Sequence, residues 1–237
     1  MKKRTLMVCV ILSILFLIAQ LSNGGIVIDQ RVKDNEGKTA QVILYCSENQ
    51  LRTDHPESGL STIMDLKADQ IVLIDHRSKG YLSMKLSQWE KEIAKRLKDE
   101  NPGVRPKERT ITVRRSGETA TINGFKTEKV QILADTELME EHWMTRDIQT
   151  SEAEKVIEKA ALELSKDFRS ELKEGQEIQR KLKPYGFSIL VKDYTLTSGL
   201  KGIDVLEVKK IERKELKPDV FQPPAGYERI IPQPAKK

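Results

Sequence analysis

The sequence predicts an α+β fold built on an antiparallel sheet, and three observations carry that prediction. Short segments rich in Val, Ile, Leu, Phe and Tyr recur through most of the chain, parted by clusters of Asp, Asn, Gly, Ser and Lys. The links between neighbouring segments, such as Leu66-Lys67-Ala68-Asp69 and Arg77-Ser78-Lys79-Gly80, suit hairpins and are too short for parallel crossovers. Two stretches change to a helical period behind capping boxes.

The segments run in order as follows. Ile26, Ile28 and Val32 alternate with Asp29 and Arg31, and Asp34-Asn35-Glu36-Gly37 turns the chain. Strands are predicted at 42–46, 51–54, 61–65, 70–76 and 81–85. Ser87-Gln88-Trp89-Glu90 then forms a capping box, with Ser87 as N-cap and Trp89, Ile93 and Leu97 at helical spacing until Asn101-Pro102-Gly103. Further strands are predicted at 109–115, 119–122, 125–133 and 137–148, with Asn123-Gly124 as a tight hairpin turn. A second capping box, Ser151 and Glu154, opens a helix whose stripe includes Val156, Ile157, Leu164 and Phe168, with Gly175 expected to break or kink it and Pro184 to end it. Strands at 187–194 and 203–211 close the series. The runs 42–45 and 71–74 are apolar on both faces, so both faces need cover from more chain, a partner or an apolar ligand.

Residues 1–24 have the layout of a secretory signal peptide. Lys2, Lys3 and Arg4 precede a 14-residue apolar run, Leu6 to Ala19, broken by Ser13; Ser22 and Gly24 then offer small residues for cleavage after Gly24. The alternative is an uncleaved anchor, but this run is shorter than the roughly 20 residues a bilayer core requires. No stable membrane span is expected after cleavage, and the remaining 25–237 reads as one domain in an exported, periplasmic setting. Removing Lys2, Lys3 and Arg4 lowers Lys+Arg from 41 to 38 against 36 Asp+Glu, a net charge of +2 that gives no reason to expect nucleic acid. Cys46 would then be the only thiol, so no intrachain disulfide can form, and its place at the end of an apolar run suits a buried structural role.

Chemistry is sparse. There is no G-x-S-x-G elbow, H-E-x-x-H, P-loop or G-x-G-x-x-G. Asp54-His55 and Asp75-His76 stand at strand ends and read as solvated turn residues, and His142 beside Trp143 reads as a half-exposed strand residue. No metal, cofactor or catalytic residue is expected. The basic residues of 105–115, interleaved with Pro106 and Glu108, read as a solvated edge strand.

Several stretches carry a family resemblance when taken together. They are Leu51-Arg52-Thr53-Asp54; Ile71 to His76 running into Lys79-Gly80-Tyr81; the Asn123-Gly124-Phe125 meander; Glu141-His142-Trp143-Met144; and the ending Phe221-Gln222-Pro223-Pro224-Ala225-Gly226-Tyr227. This order resembles an exported bacterial family of unknown function that is similar to the lipoprotein-carrier (LolA/LolB-like) superfamily. The resemblance implies a single antiparallel sheet forming an unclosed half-barrel, with helices packed on its concave side. In the carriers that concave face shelters acyl chains. The expectation is a non-enzymatic envelope protein holding a lipid, acyl chain or other apolar ligand in the groove, with Val42, Leu44, Leu73 and Trp143 as wall residues. The other reading is a structural or protein-interaction module that binds an envelope protein and no small ligand. An enzyme stands third.

Overall fold

The computed structural model describes residues 24–34, 36–89, 91, 109–148, 156–157, 173–194 and 203–231. Of the expected signal peptide, 1–24, all but Gly24 lies outside those residues, as do the continuation of the first helix and Leu164 and Phe168 of the second.

The described strands form one twelve-stranded sheet, in the order β12-β6-β5-β4-β3-β2-β1-β11-β10-β9-β8-β7. One meander runs through β1 (Gly24–Asp34), β2 (Thr39–Cys46), β3 (Gln50–His55), β4 (Leu60–Asp65), β5 (Gln70–Asp75) and β6 (Gly80–Lys85). A second starts at the far edge with β7 (Ile111–Ile122) and returns through β8 (Phe125–Ala134), β9 (Glu137–Thr145), β10 (Phe187–Asp193) and β11 (Ile203–Glu215). The two are joined where β11 pairs antiparallel with β1 along its whole length. All ladders are antiparallel except the short β12 (Glu228–Arg229), which lies parallel to β6. The two edges, β12 and β7, do not meet, so the sheet is not closed into a barrel.

Local chemistry accounts for most strand boundaries. Asn123 and Gly124 have φ of +50° and +86°, the left-handed pair that a twist-matched two-residue hairpin requires. The predicted strands at 109–115 and 119–122 are one strand, β7, whose register on β8 shifts between Arg115 and Thr119. This strand is an edge, as its charges suggested, and Arg114 and Arg115 are exposed on it. Ser87 does not act as the predicted N-cap. The helical turn starts at Leu86, and the Ser87 N–H and hydroxyl both donate to the Asp69 carboxylate, at 3.0 and 2.8 Å. Gly175 lies inside α1 (Lys173–Leu182), which ends just before Pro184, while residues 158–172, which would join it to the helix expected from Ser151, lie outside the described residues.

Directly opposed residues in a ladder share a sheet face, which sorts the core into sides. Val130 opposes His142, His142 opposes Val191, Val191 opposes Leu206, and Leu206 opposes Val32 of β1. Ile26 and Ile28 therefore face the same side as Val130 and Ile132. Helical residues pack on that side at two places. Val156 is buried with Ile26, Ile28, Cys46, Leu51 and Val208, while Ile178 and Leu182 of α1 are buried with Ile111, Val130 and Ile132. The opposite face of β4 and β5 is covered by the chain after β11. Phe221 packs there on Ile63, Val72 and Ile74, with Leu216, Val220 and Tyr227 against them. Thus the two-sided run 71–74 is covered on one face, where Val72 and Ile74 lie beneath the C-terminal segment, and partly on the other, where Ile71 is completely buried and Leu73 half-buried on the helix-bearing side.

Candidate functional site

Register places three of the four expected wall residues together and removes the fourth. Leu44 opposes Thr53, Thr53 opposes Thr62, Thr62 opposes Leu73 and Leu73 opposes Leu82, forming one row across β2 to β6. Leu44 also opposes Ile28, so the row is on the helix-bearing face. The adjacent row on this face is Cys46, Leu51, Met64, Ile71 and Met84. Val42 shares the face and is buried beside Gln30. Leu44, Leu73, Leu82, Met64 and Met84 are half-buried.

Trp143 takes the other face. It opposes Leu190, whereas His142 opposes Val191 and continues the helix-bearing side. The Lys129 ammonium lies 5.2 Å from the Trp143 ring centroid and pairs with Glu118 at 2.8 Å and Glu141 at 3.5 Å. Tyr194 donates its hydroxyl to Glu141 at 2.7 Å, and this bond holds the phenol pKa up at about 12. Trp143 is therefore part of a polar network and not a wall of the proposed groove. Leu82, Met64 and Met84 share the face and rows of Leu44 and Leu73 and were not named from the sequence. The alternation of Leu82 and Met84 with Ser83 in the 81–85 strand was the available signal.

His76 departs from the solvated-turn expectation. His76 bridges two elements: its Nε2 lies 2.7 Å from Ser61 Oγ and its Nδ1 2.9 Å from the Tyr227 hydroxyl. Buried Ser61 donates to Asp54 at 2.6 Å, and Arg52 donates to the same carboxylate oxygen at 2.7 Å and to the Val220 carbonyl at 2.9 Å. This arrangement contains serine, histidine and aspartate but is wired against catalysis. A carboxylate only accepts, so the single Ser61 proton goes to Asp54 and His76 Nε2 must donate to Ser61. An imidazole that gives its proton to the hydroxyl cannot remove one from it. The chain from Tyr227 to Asp54 instead clips the C-terminal segment onto the sheet.

His142 is not half-exposed but buried, at 4% exposure. Its Nε2 lies 2.6 Å from Glu140 Oε2 and its Nδ1 2.9 Å from Ser188 Oγ. Cys46 is the free buried thiol expected, and burial pushes its pKa up to about 12. Among the described residues no cluster of His, Cys, Asp and Glu could hold a metal ion, and no helix is long and apolar enough to cross a membrane.

Residues 27–227 match the family described as Domain of unknown function (DUF4412), and the chain belongs to that family. No curated protein matches it. Among solved structures it is similar to an uncharacterized conserved protein from Thermus thermophilus, at 8% identity and a TM-score of 0.46, covering 92% of this chain and 96% of that one. It is also similar to PNGF-II in a C2 crystal form, at 12% identity and a TM-score of 0.36, covering 87% of this chain and 30% of that one.

Proposed function

We propose that this DUF4412 protein is exported to the periplasm and there shelters a lipid, acyl chain or other apolar ligand on the helix-bearing face of a half-barrel. The observation that supports the reading is the set of half-buried side chains Leu44, Leu73, Leu82, Met64 and Met84, spread over two adjacent rows across β2 to β6 and taken here as walls. Val42 belongs to the buried margin of that surface. Each methylene buried there contributes about 0.8 kcal/mol, so a long chain binds well without specific polar contacts. Thr53 and Thr62, in the middle of one row, add hydroxyls that can meet an ester or amide group of such a ligand.

Native mass spectrometry of the full chain purified from its own envelope tests this. Retained lipid lost in a folded Leu73→Glu variant supports the groove, because the new carboxylate faces the chain. Lipid at wild-type stoichiometry in that variant removes Leu73 from the site. N-terminal sequencing of the same material is expected to start at Gly25; an intact Met1 in the membrane fraction would restore the anchor.

A second reading has its own support. Val156, a helical residue, is fully buried against Ile26 and Ile28, so the protein's own helix occupies part of this face. Wild-type protein that retains no lipid favours a module that binds an envelope protein and no small ligand.

A further inference from the structure

The outermost hairpin, β7–β8, leaves the regular ladder before its tip. Its pairing slips between Arg115 and Thr119, where Gly117 takes a φ of +80°. At the tip, Asn123 donates to the Val208 carbonyl at 2.8 Å and to the Glu207 carboxylate at 2.9 Å. Those two residues belong to β11, and β9 and β10 lie between β8 and β11 in the sheet. The tip therefore crosses beyond the ends of β9 and β10, and the hairpin walls a cavity of about 620 Å³. That volume lies within the range of small-molecule sites.

Register assigns much of the lining. Thr121 opposes Lys126, Thr119 opposes Glu128, and Glu128 opposes Met144, so these side chains share one face of the sheet. Tyr185, from the short turn Lys183–Tyr185 after α1, and the pair Arg146-Asp147 just past β9 complete it. Both Glu128 carboxylate oxygens accept from Arg115, which holds that carboxyl below the usual carboxylate range. Arg146 adds to this lowering through space but pairs with no carboxylate. Among the described residues, the side chains of Lys126, Arg146 and Asp147 make no hydrogen bond or ion pair, nor do the hydroxyls of Thr119, Thr121 and Tyr185. Two cations, one carboxylate and three hydroxyls thus line one cavity without partners. The cations and hydroxyls offer more donors than the two oxygens of a carboxylate accept, and they match a phosphate ester, which has four oxygens around one phosphorus. Asp147 brings the opposite sign and suits an ammonium group on the same molecule.

We propose that this cavity binds a phosphate ester of an amino alcohol, either free or as the head group of a phospholipid. Arg146 and Lys126 take the phosphate, Thr119, Thr121 and Tyr185 donate to its oxygens, and Asp147 takes the ammonium. The site lies at the β7 end of the sheet, whereas Leu44, Leu73 and Leu82 lie across β2 to β6. It therefore goes beyond the acyl-chain reading and does not rest on it.

Isothermal titration calorimetry of the folded full chain with O-phosphoethanolamine tests this. Wild type should bind it, and binding should weaken as salt is raised, because the charges involved are exposed. Lys126→Gln and Arg146→Gln should each weaken binding about 10–100-fold, the range for a hydrogen bond to a charged group. Asp147→Asn should weaken binding of O-phosphoethanolamine but not of glycerol phosphate, which lacks the ammonium. Lys67→Gln, on the turn between β4 and β5, should bind as wild type does. Lys126, Arg146 and Asp147 are exposed, so these variants keep the fold, and circular dichroism verifies it. Sedimentation with vesicles of phosphatidylethanolamine and phosphatidylglycerol separates the two sources. Vesicle binding that O-phosphoethanolamine displaces assigns the lipid head group, and binding of the soluble ester alone assigns the free molecule. A folded wild-type protein that binds neither overturns the proposal, as does undiminished binding in the Lys126→Gln/Arg146→Gln double variant. An Asp147→Asn protein that binds O-phosphoethanolamine at wild-type strength overturns the assignment to an amino alcohol.

Discussion

Changing glycine to alanine should have opposite effects at two positions 11 residues apart, and the structure supplies the reason for each sign. Gly186, between the turn after α1 and β10, has φ of +101°. An added Cβ there would overlap the Thr145 carbonyl oxygen and stand 2.9 Å from its carbonyl carbon. Thr145 cannot retreat easily, because it opposes Phe187 in the β9–β10 ladder. The left-handed backbone alone costs an alanine about 1–3 kcal/mol, and the backbone overlap brings the expected loss to about 3–5 kcal/mol. For a domain of this size that lowers the midpoint of thermal unfolding by roughly 6–20 °C. Gly175 lies exposed within α1 and has nothing within 4 Å of its added Cβ. Alanine there should gain about 0.5–1 kcal/mol, because glycine carries the larger entropy cost in a helix. Urea denaturation followed by circular dichroism measures both, with the slope unchanged if only stability moves. A Gly186→Ala protein within about 1 kcal/mol of wild type would refute the close approach to Thr145. A destabilised Gly175→Ala protein would refute the placement of Gly175 inside α1.

Three other outcomes are expected. Phe221→Ala should cost about 3–5 kcal/mol in urea denaturation, since the ring is buried on Ile63, Val72 and Ile74; Tyr227→Phe, which removes only the hydroxyl bound to His76, should cost about 0.5–1.5 kcal/mol. Cys46 should resist alkylation in the folded protein at pH 8 and react on unfolding. Burial raises its folded pKa to about 12, so its stabilising contribution is complete below the unfolded thiol value of about 8.5 and is lost as pH rises through 12. Tyr194 should ionise near 12 by phenolate absorbance, and Glu141→Gln should return it towards 10.0, because the hydrogen bond to Glu141 is the largest cause of the rise. A titration unmoved by Glu141→Gln would break that link.

Local patterns made much of the sheet legible. Period-two alternation marked Ile26, Ile28 and Val32 as one face, and Asn123-Gly124 named the hairpin whose left-handed φ pair the structure has. The charges at Arg114 and Arg115 announced an edge strand, because an edge must discourage further pairing. Two-sided apolar runs at 42–45 and 71–74 required cover on both faces, a demand set by composition alone. Each of these rests on interactions between residues close in sequence, where the physical rule and the residues that obey it occupy the same short window.

Long-range register decided the rest. The side of the sheet that Trp143 faces follows from ladders running through β1, β11, β10 and β9, with register shifts between Asp29 and Gln30 and between Ser188 and Leu190. One extra residue in such a ladder reverses every assignment beyond it, and nothing in the local pattern marks the extra residue. The cover for Val72 and Ile74 came from Phe221, and the partners of His76 were Ser61 and Tyr227. His142 likewise read as a strand residue until the β9–β10 pairing brought Ser188 to its Nδ1. A side chain's chemistry is set by its neighbours, and these neighbours lie 15 to 151 residues away in the chain.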